Sequence, residues 1–111
     1  MVASNHSNHL LLMSSDTFGV HRVVTLNNAT LRLAEVEWIN ELVWSANEDD
    51  DVLRAFDLST GEHLYSLDVS ALAPHHEHGC PTCFCSPPRA NGIAFDAADE
   101  KFYVSGRYWY V

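Results

Sequence analysis

The stretch "HHEHGCPTCFC", residues 75–85, gathers His75, His76, His78, Cys80, Cys83 and Cys85 into eleven positions. The spacing His78-x-Cys80-x2-Cys83-x-Cys85 offers four soft ligands, a composition that suits tetrahedral zinc. Zinc sites more often join two separated knuckles, whereas this cluster is one short loop. A Cys80–Cys83 or Cys80–Cys85 disulfide is a second reading, and it leaves one of the three cysteines unpaired. A chemically idle insertion is the third. Pro74, Pro81, Pro87 and Pro88 favour a stiff, exposed loop. A second ligand-type run, Glu48-Asp49-Asp50-Asp51, lacks the alternating ligands and the glycine of a calcium loop. It reads as a solvated turn between two strands.

The chain that must position these residues is 111 long, enough for one domain with a modest core. Hydrophobic residues make up 47% of it, which excludes a disordered tail. No apolar run approaches the roughly 20 residues of a bilayer span. A net charge of -9 repels nucleic acid and anionic membrane surfaces, so neither is expected as a partner. The N-terminus has no basic segment, its apolar stretch is only Leu10 to Met13, and no small-residue cleavage site follows. The sequence as it stands is not marked for export. A secretory route requires a further segment before Met1. The sequons at Asn5 and Asn28 matter only after export.

Helix signals are scarce. Short apolar or alternating runs recur at 20–26, 35–39, 42–46, 52–57, 63–69, 92–96 and 101–105. They are rich in Val, Leu, Phe, Tyr and Trp and have the length of strands. Asn40-Glu41, Ser59-Thr60-Gly61 and the polar run 96–100 punctuate them as hairpin turns. The chain therefore reads as all-β.

It also repeats. "EVEWINELVWSA" (35–46) is strand, polar turn, strand, and "GIAFDAADEKFYVSG" (92–106) has the same plan. "VLRAFDLSTGEHLYSLDVS" supplies two strands between them. The result is a four-stranded antiparallel meander of about 45 residues with an insert, the size of a propeller blade. The insert, residues 73–90, contains the Cys/His/Pro-rich loop. A closed ring takes about four to eight blades, and this chain holds about two. Its exposed edge strands call for remaining blades, for self-association, or for cover by another chain. A small self-contained β-sandwich is the alternative architecture.

The stretch "LAEVEWINELVWSANEDDDVLRAFDLSTGEHLYSLDVSAL", followed by "NGIAFDAADEKFYVSGRYW", resembles the plant and bacterial type of glutamine cyclotransferase (glutaminyl-peptide cyclotransferase). In that family the segments read approximately LNELEW-x-x-G-x-I-x-ANVW, IDP-x-TG, IDLS-x-L, LNGIAYD and FVTGK-x-WP. The agreement runs without gaps from Leu33 to Leu72, and "SSDTFGVHRVVTL" looks like the family's DPETF-x-V strand. The most specific piece is Asn91-Gly92-Ile93-Ala94-Phe95-Asp96 with Gly106 and Trp109. The resemblance implies a five-bladed propeller, of which this chain would be the C-terminal portion.

It also implies a reaction. The α-amine of an N-terminal glutamine attacks its own side-chain amide carbon, ammonia leaves, and pyroglutamate remains. The attack is intramolecular, so much of the entropic work is already done. An α-amine with a pKa of about 7.7–8 is usefully neutral at pH 7. Carboxylates, amides and a cation can hold the reactive conformer and stabilise the oxyanion, and no cofactor is implied for catalysis.

By the same resemblance, Glu35 and Glu37 stand at the two glutamates of the NELE motif. Glu35 and Arg107 are the implied catalytic residues. Glu37, Asn91 and Trp109 are the implied substrate contacts. The motif's asparagine is Ala34 here, and the lysine of GK-x-WP is Arg107. Arginine keeps the charge and hydrogen bonds but not general acid–base chemistry. The ANVW segment is Ser45-Ala46-Asn47-Glu48. The family has no Cys-His cluster at 75–85, so that loop is an insertion. The departures support a second class of function, a non-catalytic binding propeller, and the Cys/His loop a third, a zinc-binding interaction module. Each site residue also has a plain structural reading. Trp38, Trp44 and Trp109 suit core packing, Glu35 and Glu37 a solvated strand face, and Arg107 an edge-strand charge. Asn91-Gly92 suits a turn into a strand with an unusual backbone angle.

Overall fold

A computed structural model describes residues 1–72 and 89–107, with Arg107 as backbone alone. Among these residues the chain forms nine strands and a single 3-10 turn, Ser70–Leu72. The strands are β1 (Val2–Ser4), β2 (His9–Met13), β3 (Val20–Thr25), β4 (Leu33–Ile39), β5 (Leu42–Asn47), β6 (Val52–Asp57), β7 (His63–Asp68), β8 (Arg89–Asp96) and β9 (Lys101–Arg107). They make three antiparallel sheets, ordered β1-β2-β3, β4-β5-β6-β7 and β8-β9. The middle sheet is a complete four-stranded meander. The two hairpins expected at 35–46 and 92–105 are β4–β5 and β8–β9, in neighbouring sheets. The expectation of an all-β partial propeller therefore holds.

Each turn has a local cause. Ile39 pairs with Leu42, so Asn40-Glu41 is a two-residue loop, and Asn40 takes the left-handed conformation it requires (φ 57°). Asp57 Oδ1 accepts from the backbone N–H of Ser59 (2.7 Å) and Thr60 (3.0 Å), which bends the β6–β7 connection. Gly61 completes that connection at φ 77°, and a side chain there would overlap the Thr25 carbonyl. Asp96 repeats the device in the β8–β9 turn, accepting from Ala98 N–H at 2.9 Å.

Two cores lie between the sheets. Leu10, Val24, Leu26, Leu31, Leu33, Val43 and Phe56 fill the space between the first and second. Ala46, Leu53, Val69, Ala90 and Ile93, with Trp44, Phe102 and Val104, fill the space between the second and third. The middle strands β5 and β6 contribute to both cores, whereas every residue of β7 is exposed. This is the burial gradient of a propeller blade, from covered strands to a solvent-facing outer edge. At the opposite edge, β1, β4 and β8 are each the first strand of their sheet and contact one another in turn.

Three expectations need correction. The loop expected over 73–90 is shorter at its end, because Arg89 and Ala90 already pair with Arg107 and Gly106. Strands β1 and β2 precede the first expected strand. The run 48–51 is a turn, but not merely a solvated one, because the arginines and amide of neighbouring sheets converge on it. Glu48 pairs with His6 and Arg32, both at 2.7 Å, on the side of the first sheet. Asp51 accepts from the Ala90 N–H at 2.7 Å and pairs with Arg89 at 3.4 Å on the side of the third. Asp50 holds Arg54 through two hydrogen bonds, at 2.9 and 2.6 Å.

Candidate active site

Of the residues with candidate chemistry, Glu35, Glu37 and Asn91 lie on β4 and β8, two strands in contact. In β4, Leu33 pairs with Asn47 and Glu35 with Ala46, so Ala34 is the extra residue of a β-bulge. In β8, Ala90 pairs with Gly106 and Gly92 with Ser105, so Asn91 is the extra residue of a second bulge. The two first strands thus carry the same irregularity at the same place. A bulge re-aims the side chains around it. Leu33 and Val36 both pack on the first core, while Glu35 points the other way.

Glu35 crosses between sheets. A methyl group placed on Gly92 would stand 3.3 Å from Glu35 Oε2 and would overlap Ser105 Oγ. Gly92 is therefore required for close approach. Its φ is not in the left-handed region, so the unusual-angle reading of Asn91-Gly92 fails. Asn91 itself is exposed, as the extra residue of a bulge at a sheet edge. Arg107 ends β9 opposite Arg89, which brings its backbone to the same end of the sheet as Asn91. Trp109 lies outside the described residues, as do His78, Cys80, Cys83 and Cys85.

Glu37 follows Glu35 on the same strand face and pairs across the sheet with Trp44. It is half-buried and lines a groove of about 470 Å³ with Trp38, Phe95 and Glu100. The tryptophans divide. Trp44 packs on Phe102 with ring centroids 5.0 Å apart, as a core residue should. Trp38 is 55% exposed and is not core. It lines a second depression, of about 330 Å³, with Arg22, Asn40 and Asp57. Both depressions lie toward the hairpin-turn end of β4, away from the bulges.

The sequence reading missed three features of this end of the sheets. Ser105 closes over Gly92, and only the β8–β9 register shows it. Asn47 is 2% exposed, and its Oδ1 has no hydrogen-bond partner among the described residues, although its Nδ2 donates to Val52 O at 3.4 Å. Asp50, which also faces Asn47, is held below the ordinary aspartate value of 3.8 chiefly by its hydrogen bond from Arg54. Asn47 stands opposite Leu33, next to the β4 bulge, and Ser105 opposite Gly92, next to the β8 bulge.

A family profile described as glutamine cyclotransferase matches residues 1–111. The crystal structure of Myxococcus xanthus glutaminyl cyclase is similar in fold, with a TM-score of 0.75 at 20% sequence identity. The likeness covers 97% of this chain and 47% of that one, so this chain spans about half the length of the matched cyclase. No curated protein matches the chain in sequence.

Proposed function

We propose, from the premise that this chain belongs to the glutamine cyclotransferase family, that it supplies part of a glutaminyl-peptide cyclotransferase site. The substrate is a peptide or protein with an N-terminal glutamine. A C–N bond forms between its α-amine and its side-chain carbonyl carbon, the C–NH₂ bond breaks, and the proton lost by the amine leaves with ammonia. The observation that carries this reading is the carboxylate of Glu35 lying against Gly92 beside two matching bulges. A carboxylate so placed can hold the ammonium in the reactive geometry and take its proton. Asn91 offers an amide to the substrate carbonyl, and Arg107 and Trp109 supply a cation and an apolar wall in the same proposal. The test is ammonia release from a Gln-initiated peptide by the protein in its complete ring. Glu35→Gln lowers the rate by at least about 100-fold if the carboxylate is the base.

One observation favours a second reading, a propeller that binds without catalysis. The bulge residue of β4 is Ala34, which offers no hydrogen bond where the family motif has asparagine. Tight binding of Gln-initiated peptides with no ammonia release would support it. The rest of the ring, in either reading, comes from further blades or from self-association along sheet edges such as β7, which is exposed throughout. For the Cys/His loop we propose structural zinc on His78, Cys80, Cys83 and Cys85, on ligand softness alone. Metal analysis under reducing conditions tests it, and a zinc content unchanged by Cys83→Ser rules it out.

A further inference from the structure

The groove between the β4–β5 and β8–β9 turns continues the line that Glu35 begins. Glu35 and Glu37 lie on one face of β4, two residues and so roughly 6.6 Å apart. The first reaches Gly92 of β8 and the second opens the groove shared with Phe95 and Glu100. One seam therefore runs along the contact of β4 with β8, from the bulges to the hairpin turns.

The chemistry of that seam is one-sided. The side chains of Glu37 and Glu100 make no hydrogen bond or ion pair among the described residues. Among the described residues, no lysine or arginine lines the groove. Phe95 is half-buried beside it. Two carboxylates with no partner among the described residues, beside the Phe95 ring, attract a cationic group, by Coulomb force and by the ring quadrupole. An acidic group would meet repulsion with nothing to offset it.

We propose that this seam holds the substrate residues that follow the glutamine and selects a basic side chain at the third position. The inference rests on the cyclotransferase reading, because Glu35 must receive the α-amine for the register to apply. An extended peptide advances about 3.3–3.6 Å per residue, so its third residue lies about 7 Å beyond the first. That distance matches the step from Glu35 to Glu37. In an extended chain, residues one and three also point to the same side. A lysine or arginine at the third position then comes level with Glu37, with Glu100 and Phe95 beyond it.

The experiment compares three peptides, Gln-Ala-Lys, Gln-Ala-Ala and Gln-Ala-Glu, each extended by the same neutral tail. The protein in its complete ring is used, and kcat/KM is read from ammonia release. At low salt the lysine peptide is favoured over the glutamate peptide by about fivefold or more. In 1 M salt, where the screening length falls to about 3 Å, the ratio approaches unity. Glu100→Gln reduces the ratio at low salt, measured against the alanine peptide as neutral reference. Equal kcat/KM for the lysine and glutamate peptides overturns the inference while leaving the cyclotransferase reading intact. So does a preference that neither salt nor Glu100→Gln changes. If no peptide releases ammonia, the cyclotransferase reading itself falls, and this inference with it.

Discussion

The carboxylate of Asp51, in the turn between β5 and β6, accepts a hydrogen bond at 2.7 Å from the backbone N–H of Ala90, the second residue of β8. Ala90 is 1% exposed, so its N–H has no access to water. The contact ties the third sheet to the second, the same two sheets that meet at Glu35 and Gly92.

Asp51→Ala removes that acceptor and leaves a buried donor unpaired, a loss of about 1–3 kcal/mol. Asp51→Asn keeps an acceptor oxygen and is milder. Urea midpoints of the two variants check this. Equal midpoints would show that the hydrogen bond does not hold the sheets together.

Gly61→Ala is the more damaging of two small substitutions. It forces a side chain into the left-handed region at φ 77° and into the Thr25 carbonyl of the neighbouring sheet. Strain and overlap together cost about 2–4 kcal/mol. Gly19→Ala meets only Thr17 Oγ1, at 3.2 Å in an exposed turn, and is tolerated. Thermal melts of the pair give the contrast.

Acid weakens the fold through Asp50. Its folded pKa lies below 3.8, chiefly because Arg54 donates to its carboxylate. A depressed carboxylate contributes stability that is present above the unfolded value and is lost as pH falls through the folded one. Asp57 and Asp68 are shifted in the same direction by hydrogen bonds with Ser59 and Ser70. The stability gap between wild type and Asp50→Asn therefore closes as pH is lowered through the range below 3.8. Urea titrations at stepped pH measure the gap, and a gap constant down to pH 2 contradicts the ion pair.

Ala34→Asn restores an amide at the β4 bulge. Asn91 shows that the equivalent bulge of β8 accommodates this side chain. If the amide touches the developing oxyanion, ammonia release rises by at least about tenfold, or roughly 1.4 kcal/mol of transition-state stabilisation. No gain favours the binding propeller.

The strands were legible where pattern and turn agree. Val52–Asp57 coincides with expectation because polar turn residues bound an apolar run on both sides. His9–Met13 was missed because "SNHSNHLLLM" is a polar segment running into an unbroken apolar one, without alternation. The Glu35–Glu37 face was visible from its period of two. The contact of Glu35 with Gly92 was not, because it depends on how two sheets pack. The bulges at Ala34 and Asn91 are properties of paired strands and leave no mark on either strand alone. The acidic run read as solvated because Arg32 is not adjacent to it and Arg89 and Ala90 are remote in sequence.

The matching bulges give the chain an approximate rotational symmetry, the turn of one blade carrying Ala34 onto Asn91. A ring of identical blades would offer the same seam at every step and would hold a substrate in several equivalent ways. Here the backbone repeats while the side chains differ: Ala34 against Asn91, and Glu35 against Gly92. A carboxylate on one strand faces a residue without a side chain on the next, a pairing that each blade alone lacks. Symmetry of the scaffold and asymmetry of its occupants together single out one seam.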